Sequence, residues 1–261
     1  HPAACKPQIL DAERAIINWH GRKKFALVGF AGSSRDLAPF ADPAWIICGL
    51  NQLGRHIPRA DCWIDIHSYW DDPKHMVEGT NQVEWCADAP IPILMIERDP
   101  RIPNSVRYPI EEMIGQVPDP KPWAIDYFTS TISYMIAFAI REGFEAVGLW
   151  GIDLIVGGEY FHQKACAEFW LGVAAGRGID IVLPQQTALL KQSHRYGYQK
   201  EPDWGLIKQS TIKKRTDIYQ AEHQRILREL YTLDGGIQVL EKLGMQDDIK
   251  QAAEKKQGLL A

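Results

Sequence analysis

The sequence predicts an α/β protein: a doubly wound, mainly parallel Rossmann-like sheet with a C-terminal helical extension. Two observations support this prediction. Six short apolar runs recur along the chain without the polar–apolar alternation of a half-exposed strand. Between several of these runs lie segments in which the apolar residues follow helical spacing. Strands that alternate with helices are typical of a parallel sheet covered on both faces.

The predicted strands cover residues 25–30, 44–48, 62–66, 91–96, 146–150 and 179–183. Cys48 and Cys62 fall inside two of these runs and are expected to be buried thiols. Two helices are predicted around the fifth strand, at residues 130–142 and 162–176, because glycines stand where each would end. These elements place the α/β body at about residues 23–191.

Two further segments differ from this body. Eight prolines between residues 90 and 122 exclude continuous regular structure, so residues 98–124 are predicted to form a long loop over the sheet. The C-terminal segment has an apolar residue at every seventh position: Ile212, Tyr219, Ile226, Leu233 and Leu240. Because Gly235-Gly236 interrupts this row, we predict a helical hairpin that docks on the body or supports a homo-oligomer. The predicted domains are residues 1–206 and 207–261.

Composition narrows the class of protein. The chain has 261 residues, of which 46% are apolar and 24% charged, values that are typical of globular proteins. No apolar stretch approaches the roughly 20 residues of a membrane span, and the N-terminus does not resemble a secretory signal. We therefore expect a soluble, cytoplasmic protein. The net charge of −4 argues against tight binding of duplex DNA, and five cysteines without C-x-x-C spacing argue against a zinc site.

Polar residues follow the first three predicted strands. The turn after the first contains Gly29, Gly32, Ser33 and Ser34, whose amides favour a phosphate and whose hydroxyls suit a helix cap, although such turns often bind nothing. Asn51 follows the second strand, where its amide could read a base or ribose or merely cap the next turn. The third strand ends in Asp65-Ile66-His67, a pair that could bind a metal, but no second cluster matches it, so no metal site is predicted.

A second group of polar residues surrounds the longest predicted helices. Thr129, Ser130 and Thr131 open the first helix and offer caps and exposed amides to a phosphate or carboxylate. Asp153 follows the next strand, and Tyr160 and His162 lead into the next helix. At a helix start the dipole disfavours a cationic imidazole, so His162 could accept a proton, although it could equally be a capping or surface residue.

Taken in order, these segments resemble a known group of proteins. Residues 25–51, from FALVGFAGSSRDLAPF to WIICGLN, resemble the opening of bacterial lipooligosaccharide sialyltransferases and MptE-like proteins: strand, Gly-x-Gly-Pro-Ser turn, short helix, strand ending in Asn. Residues 129–153, TSTISYMIAFAIREGFEAVGLWGID, are similar to their Thr-Ser-Gly, helix, strand and Gly-Ile-Asp segment. Residues 160–189 are similar to the His, helix, strand and Pro-x-Ser-x-Leu segment that follows in these proteins, and read PQQTAL at its end. The overall organisation also resembles that of bacteriophage proteins.

The resemblance implies a glycosyltransferase-like enzyme that moves a sugar from a nucleotide-sugar donor to an acceptor hydroxyl without a metal ion. It implies that the turn at Gly32–Ser33, Asn51 and Thr129–Thr131 hold the nucleotide and sugar, and that His162 is the general base. Tyr160 and Asp153 are the next catalytic candidates. The tyrosines that flank the Gly-Ile-Asp strand in the sialyltransferases correspond here to Gly148 and Ile155, so the donor stays open.

Two other functions are compatible with the resemblance. The MptE-like branch implies diphosphate transfer from ATP to a small hydroxymethyl heterocycle, which needs Mg²⁺ and acidic ligands; Asp65, Asp126 and Asp153 are the candidates. The other is a catalytically inactive phage protein that serves assembly through its helical tail. The acceptor of a transferase could be a glycan, a small molecule or a modified DNA base, and a phage-encoded protein would act in the host cytoplasm.

Overall fold

The computed structural model describes residues 6–67, 82–114, 127–154, 160–192, 195–199 and 204–260. The described residues divide into two compact units, the first containing those up to Lys191 and the second those from Gln192 onward. The first unit contains the sheet and the second contains the C-terminal helices. The sequence-based division places the boundary later, between residues 206 and 207.

The first unit is built on a seven-stranded, entirely parallel sheet. Its strands are β3 (Lys24–Val28), β4 (Trp45–Leu50), β5 (Cys62–Asp65), β6 (Ile93–Met95), β7 (Ser105–Arg107), β8 (Ala146–Trp150) and β9 (Asp180–Val182). Their order across the sheet is β7-β6-β5-β4-β3-β8-β9. A separate antiparallel hairpin, β1 (Gln8–Asp11) and β2 (Ile16–Asn18), precedes them. The predicted fold class and all six predicted strands are confirmed.

The prediction of a long loop at residues 98–124 is wrong in part. Ser105–Arg107 pairs with β6 as the edge strand β7, and a short helix follows it at Ile110–Ile114. A three-residue strand between Pro103 and Pro109 is possible because an edge strand bonds to only one neighbour. Residues 115–126 lie outside the described part of the chain.

The helices of the first unit are α1 (Gln82–Asp88), α2 (Ile110–Ile114), α3 (Thr131–Arg141) and α4 (Tyr160–Gly176). The two predicted helices are confirmed, α4 beginning two residues earlier than expected. Buried aliphatic and aromatic side chains of α3 and α4 form one core with the first face of the sheet, which includes Phe25, Cys48 and Cys62. The predicted burial of the two cysteines is confirmed.

The second face of the sheet is covered by α1, short turns and tryptophan rings. A Cβ added at Gly49 would lie 2.1 Å from the ring of Trp63, and one at Gly148 would lie 2.3 Å from the ring of Trp150. Each ring therefore occupies the space that a side chain on the glycine would need. Gly148 is one of the two positions where the resembling sialyltransferases carry a tyrosine, and here no side chain fits.

A network of buried charges lies where the chain enters the sheet, at the amino ends of the strands. Asp61 is 7% exposed and accepts hydrogen bonds from Arg22 Nη1 at 2.9 Å and from Arg59 Nη2 at 2.8 Å. Its second oxygen also accepts from the backbone amide of Ile47 at 2.8 Å. Arg59 donates further to the carbonyl of Trp45. Every charged group of this network thus has a partner.

The second unit contains α5 (Trp204–Leu243) and α6 (Gln246–Leu260), joined at Gly244, whose φ is +72°. Ion pairs from Lys255 to Glu229 and from Lys256 to Asp234 show that α6 folds back along α5, so the helical hairpin is confirmed. The expected interruption at Gly235-Gly236 is wrong, because α5 continues through both residues. Two helical glycines cost about 1 kcal/mol each, which packing against α6 can offset. No helix in the described ranges has the length and apolar character of a bilayer span.

Candidate functional site

The predicted site residues lie beyond the carboxyl ends of the strands. From β3 the sheet extends through β4 in one direction and through β8 in the other, so β3 and β8 form its topological switch point. Ligands of open α/β sheets bind in the crevice outside the carboxyl ends at such a point. Helices α3 and α4 begin at the same edge, since α3 runs into β8 and α4 follows it.

The loops after β3 and β8 contact each other through their backbones. The amide of Gly29 donates to the carbonyl of Trp150, and that of Ala31 to the carbonyl of Gly151, both at 2.8 Å. A Cβ at Gly29 would lie 2.5 Å from the Gly151 oxygen, and Gly151 itself has a φ of +66°. The close approach of the two loops is therefore by itself a sufficient reason for glycine at position 29, and this glycine is not evidence of a bound ligand.

The hydroxyl groups of the β3 turn also reach the β8 loop. Ser34 is 1% exposed and its Oγ accepts from the Gly151 amide at 2.8 Å, while Ser33 Oγ donates to Asp153 Oδ2 at 2.7 Å. Neither serine caps the short 3-10 helix that follows, so the expectation that one of them would act as its cap is wrong.

The turn is open at Gly32, where an added Cβ would meet no other atom within 4 Å. Within the described ranges nothing accepts from the amides of Gly32 and Ser33, which leaves two donors at this open point of the turn.

Asn51 follows β4 in the left-handed conformation, with a φ of +48°. Its main-chain oxygen accepts from Trp63 Nε1 at 2.9 Å and from Gln82 Nε2 at 2.6 Å, which fixes the backbone. Its side-chain Oδ1 is buried and has no hydrogen-bond partner among the described residues. The interpretation of Asn51 as a cap is wrong, because Gln52 holds the capping position of the next turn.

Asp65, the last residue of β5, forms a hydrogen-bonded pair with His67. Asp65 is 4% exposed, and its Oδ1 lies 2.6 Å from Nδ1 of His67. Burial raises the pKa of the Asp65 carboxyl, and the hydrogen bonds from His67 and Gln82 oppose this shift. Sequence reasoning considered the pair only as metal ligands and missed Gln82. The Asp-x-His spacing at a strand end was the available signal for a hydrogen-bonded pair.

The starts of α3 and α4 meet through Thr129, whose Oγ1 donates to the main-chain oxygen of His162 at 3.1 Å. Ser130 occupies the N-cap position of α3 but makes no capping bond, contrary to expectation, and its Oγ is buried without a partner in the described chain. Thr131 is the first residue of α3. Tyr160 is the first residue of α4 and is 47% exposed, and the side chain of His162 is also exposed.

Three buried side-chain atoms in the described chain have no hydrogen-bond partner: Asn51 Oδ1, Ser130 Oγ and Asp153 Oδ1. All three belong to residues that the sequence predicts for the site, and all lie at the carboxyl edge. A buried polar atom without a partner costs about 1–3 kcal/mol. Such groups are rare in folded proteins and call for a reason, such as a water molecule or a ligand that completes them.

No group of three or more His, Cys, Asp or Glu side chains is placed to hold a metal ion in the part of the chain that the structure describes. Of the three carboxylates considered for Mg²⁺, Asp65 and Asp153 follow strands that are not neighbours in the sheet. Asp126 lies outside the described residues, as does Ile155, the second position that the resembling sialyltransferases fill with tyrosine.

No protein-family model matches the chain, and no curated protein sequence matches it. Among solved structures it is similar to the sialyltransferase CstII from Campylobacter jejuni in complex with cytidine-5'-monophosphate, with 12% identity, a TM-score of 0.42, and coverage of 72% of this chain and 99% of that chain. It is also similar to the monofunctional α-2,3-sialyltransferase Cst-I from Campylobacter jejuni, with 14% identity, a TM-score of 0.46, and coverage of 80% of this chain and 100% of that chain. A third similar structure is an α-2,3-sialyltransferase from the same organism in apo form, with 13% identity, a TM-score of 0.44, and coverage of 80% of this chain and 100% of that chain. At these low identities the function has to be inferred from this chain's own residues, and the MptE-like and bacteriophage resemblances stay predictions.

Proposed function

We propose that this chain is a glycosyltransferase-like enzyme that transfers a sugar from a nucleotide-sugar donor to an acceptor hydroxyl. The observation that supports this most is the set of unpartnered buried atoms on Asn51, Ser130 and Asp153. They come from three separate segments and lie at one edge of the sheet, where open α/β proteins bind ligands. A ligand rich in hydroxyl and amino groups supplies the donors that these oxygens lack.

The phosphate of the donor is proposed to lie between the β3 turn and the start of α3. The amides of Gly32 and Ser33 are available at the open point of the turn. Thr129–Thr131 adds the amino-terminal amides of α3, an eleven-residue helix whose dipole favours an anion. Asn51 is proposed to bind the ribose or the base next to this phosphate, because β4 adjoins β3.

His162 is proposed as the base that takes the proton of the acceptor hydroxyl. Its backbone is tied to Thr129, so the histidine stays beside the proposed phosphate site. The chemistry then needs no metal ion: the acceptor oxygen attacks the sugar carbon, the bond to the phosphate breaks, and amides receive the charge that develops. Asp153 and Tyr160 are the next candidates at the same edge. The acceptor is a glycan, a small molecule or a modified DNA base.

Thermal unfolding with CMP, UDP, GDP, ADP and ATP, each with and without Mg²⁺, tests the proposal. A nucleotide at about 100 times its dissociation constant should stabilise the protein by roughly 2.7 kcal/mol. Stabilisation that depends on Mg²⁺ would favour diphosphate transfer instead. If none of the five nucleotides stabilises the protein, the proposed function is wrong.

Asn51→Gly tests the location of the bound nucleotide. Glycine tolerates the positive φ of Asn51, and the substitution removes an unpartnered oxygen, so stability should change little while nucleotide affinity falls about 10-fold. His20→Gly is the matched control, because His20 has a similar φ of +52° but precedes β3 at the opposite edge. Equal nucleotide affinities of the two variants would place the nucleotide elsewhere.

A further inference from the structure

The two most exposed aromatic side chains of the described chain lie in one short turn that precedes α5. Tyr196 is 86% exposed and Tyr198 is 91% exposed, more than any other large apolar or aromatic side chain that the structure describes. Tyr108 of the first unit, by contrast, is 2% exposed and packs among other rings. Single exposed apolar side chains are common on protein surfaces, but two neighbouring tyrosines of this kind are typical of a binding surface.

The backbone of this turn is held by three hydrogen bonds. The carbonyl of Arg195 accepts from the amide of Tyr198 at 3.1 Å and from that of Gln199 at 3.0 Å. In the other direction, the amide of Arg195 donates to Oε1 of Gln199 at 2.7 Å. Gly197 supplies the left-handed residue that the turn needs, with a φ of +75°. The backbone that carries both rings is thus ordered before any ligand binds, which lowers the entropic cost of binding.

The turn belongs to a basic part of an otherwise acidic chain. Residues 191–215 contain seven Lys or Arg and two Asp or Glu, a net charge of +5, whereas the whole chain has a net charge of −4. Arg195 is exposed, and among the described residues its guanidinium has no partner. Basic residues interleaved with exposed aromatic ones are typical of surfaces that bind nucleic acids, because the cations bind phosphates and the rings stack on bases.

The combination of rings and cations favours a single strand over other ligands. Tyrosine rings can stack on bases only where those bases are unpaired and accessible, and the acidic charge of the whole chain disfavours a duplex. A neutral glycan could pack against the rings, but it would make no use of the positive charge. A single-stranded nucleic acid uses both features at once.

We propose that the turn formed by Arg195–Gln199 binds single-stranded nucleic acid, with Tyr196 and Tyr198 stacked on bases and Arg195 bound to a phosphate. This inference goes beyond the proposed glycosyl transfer and does not depend on it. Stacking and phosphate contacts do not distinguish one base from another, so the binding should have little sequence preference.

Fluorescence anisotropy with a fluorescein-labelled strand of about 20 thymidines tests the proposal, since such sites cover roughly 4–16 nucleotides. The wild type should bind this strand, and its affinity should fall as the salt concentration rises. Tyr196→Ala and Tyr198→Ala should each weaken binding about 10-fold, because each removes one stacked ring. Tyr196→Phe and Tyr198→Phe should keep the wild-type affinity, because they keep the rings.

Tyr231→Ala is the matched control for the rings. Tyr231 is 72% exposed and belongs to the same unit, but its neighbours along α5 include Glu229 and Asp234 in place of a basic segment. This variant should bind the strand as the wild type does. Since Tyr196, Tyr198 and Tyr231 are all exposed, their alanine variants should also unfold at the wild-type temperature, which thermal unfolding checks.

The salt dependence tests the phosphate contact separately. Arg195→Gln should weaken binding and reduce the slope of log affinity against log salt by about 0.7, the value for one phosphate of a single strand. Arg14→Gln is the control, because Arg14 has a side chain that is 77% exposed but lies in the first unit. It should change neither the affinity nor the slope.

Three results would overturn the inference. The first is that the wild type does not bind the strand at low salt. The second is that both Tyr→Ala variants bind it as tightly as the wild type, which would place any bound strand elsewhere. The third is that the two tyrosines are needed to bind a neutral oligosaccharide such as maltohexaose but not DNA, which would make the turn a glycan site. Nucleotide-dependent thermal stabilisation is a separate measurement, so the proposed function and this inference can fail independently.

Discussion

The two edges of the sheet differ in how completely their buried polar groups are hydrogen-bonded. At the amino edge, Asp61 is bonded to Arg22, to Arg59 and to a backbone amide, and no oxygen of that carboxylate lacks a donor. At the carboxyl edge, one side-chain oxygen each of Asn51 and Asp153 is buried with no partner among the described residues. The first edge is complete within the chain, whereas the second lacks donors that a ligand can supply.

This difference separates stability from function. A buried charge with all its partners keeps the fold together, and its loss leaves other charges unpaired. A buried polar atom without a partner lowers stability and is retained where it serves binding. Substitutions at the amino edge should therefore affect unfolding and leave ligands alone, while those at the carboxyl edge should do the reverse.

The largest effect is expected for His162→Ala. If this histidine removes the acceptor proton, turnover should fall about 10²–10⁴-fold, while nucleotide affinity and stability stay close to those of the wild type. Steady-state kinetics with an identified donor and acceptor measure the loss. A histidine with only a structural role would show the opposite pattern, with lower stability and full turnover, and the catalytic role would pass to Tyr160 or Asp153.

Asp61→Ala should have the largest effect on stability. Removing this carboxylate leaves Arg22 and Arg59 without their shared partner in a buried setting, which should cost about 3–5 kcal/mol. Chemical denaturation measures the loss, with the exposed Asp36→Ala as the control that should change little. A marked drop in the nucleotide affinity of folded Asp61→Ala would contradict the separation of the two edges.

The sheet could be predicted from sequence because its signal is local. Strands buried on both faces appear as apolar runs, and all six such runs form strands. Strand β7 has no such signal, because it contains only three residues between prolines, and pairing with β6 alone defines it as a strand. The glycines at 235 and 236 predict a break for a related reason, since the stabilising contacts of this part of α5 come from α6, which packs against it only in the folded hairpin.

The site could be located from sequence, but its contacts could not. The turn at Gly29 and Ser34 was recognised, yet its bonds run to Gly151, more than a hundred residues away. The link from Gln82 to Asn51 likewise joins segments that only the fold brings together. Polar residues after strands indicate where a site lies, whereas their partners depend on tertiary packing.

Truncation after Gly205 tests the tail separately from both edges. Ile212 and Tyr219 of the seven-residue row are 54% and 68% exposed, while Ile226, Leu233 and Leu240 are partly buried. An apolar stripe left exposed on a helix is often covered by a second copy of the chain. The truncated protein should contain fewer chains per particle in solution, a number that light scattering gives as the particle mass divided by the mass of the truncated chain, with nucleotide affinity unchanged. An unchanged number of chains per particle would show that the tail does not support a homo-oligomer.

The smallest effect is expected for Asp65→Asn, and it depends on pH. Burial raises the pKa of this carboxyl in the folded state, so the ionised form is less favourable in the folded protein than in the unfolded chain. The wild-type protein is therefore destabilised by this carboxylate at any pH above the folded-state pKa of Asp65. The destabilisation disappears as the pH falls below the pKa that Asp65 has in the unfolded chain. Asparagine keeps the shape and can still accept from His67, so the variant should gain about 1 kcal/mol or less at pH 7 and nothing at low pH. Urea unfolding of both proteins across this range measures the difference. A variant that is less stable than the wild type at pH 7 would show that the Asp65 carboxylate stabilises the fold through its pair with His67, as Asp61 does at the opposite edge. The carboxyl edge would then contain a charge that serves stability, and the contrast between the two edges would not hold at this position.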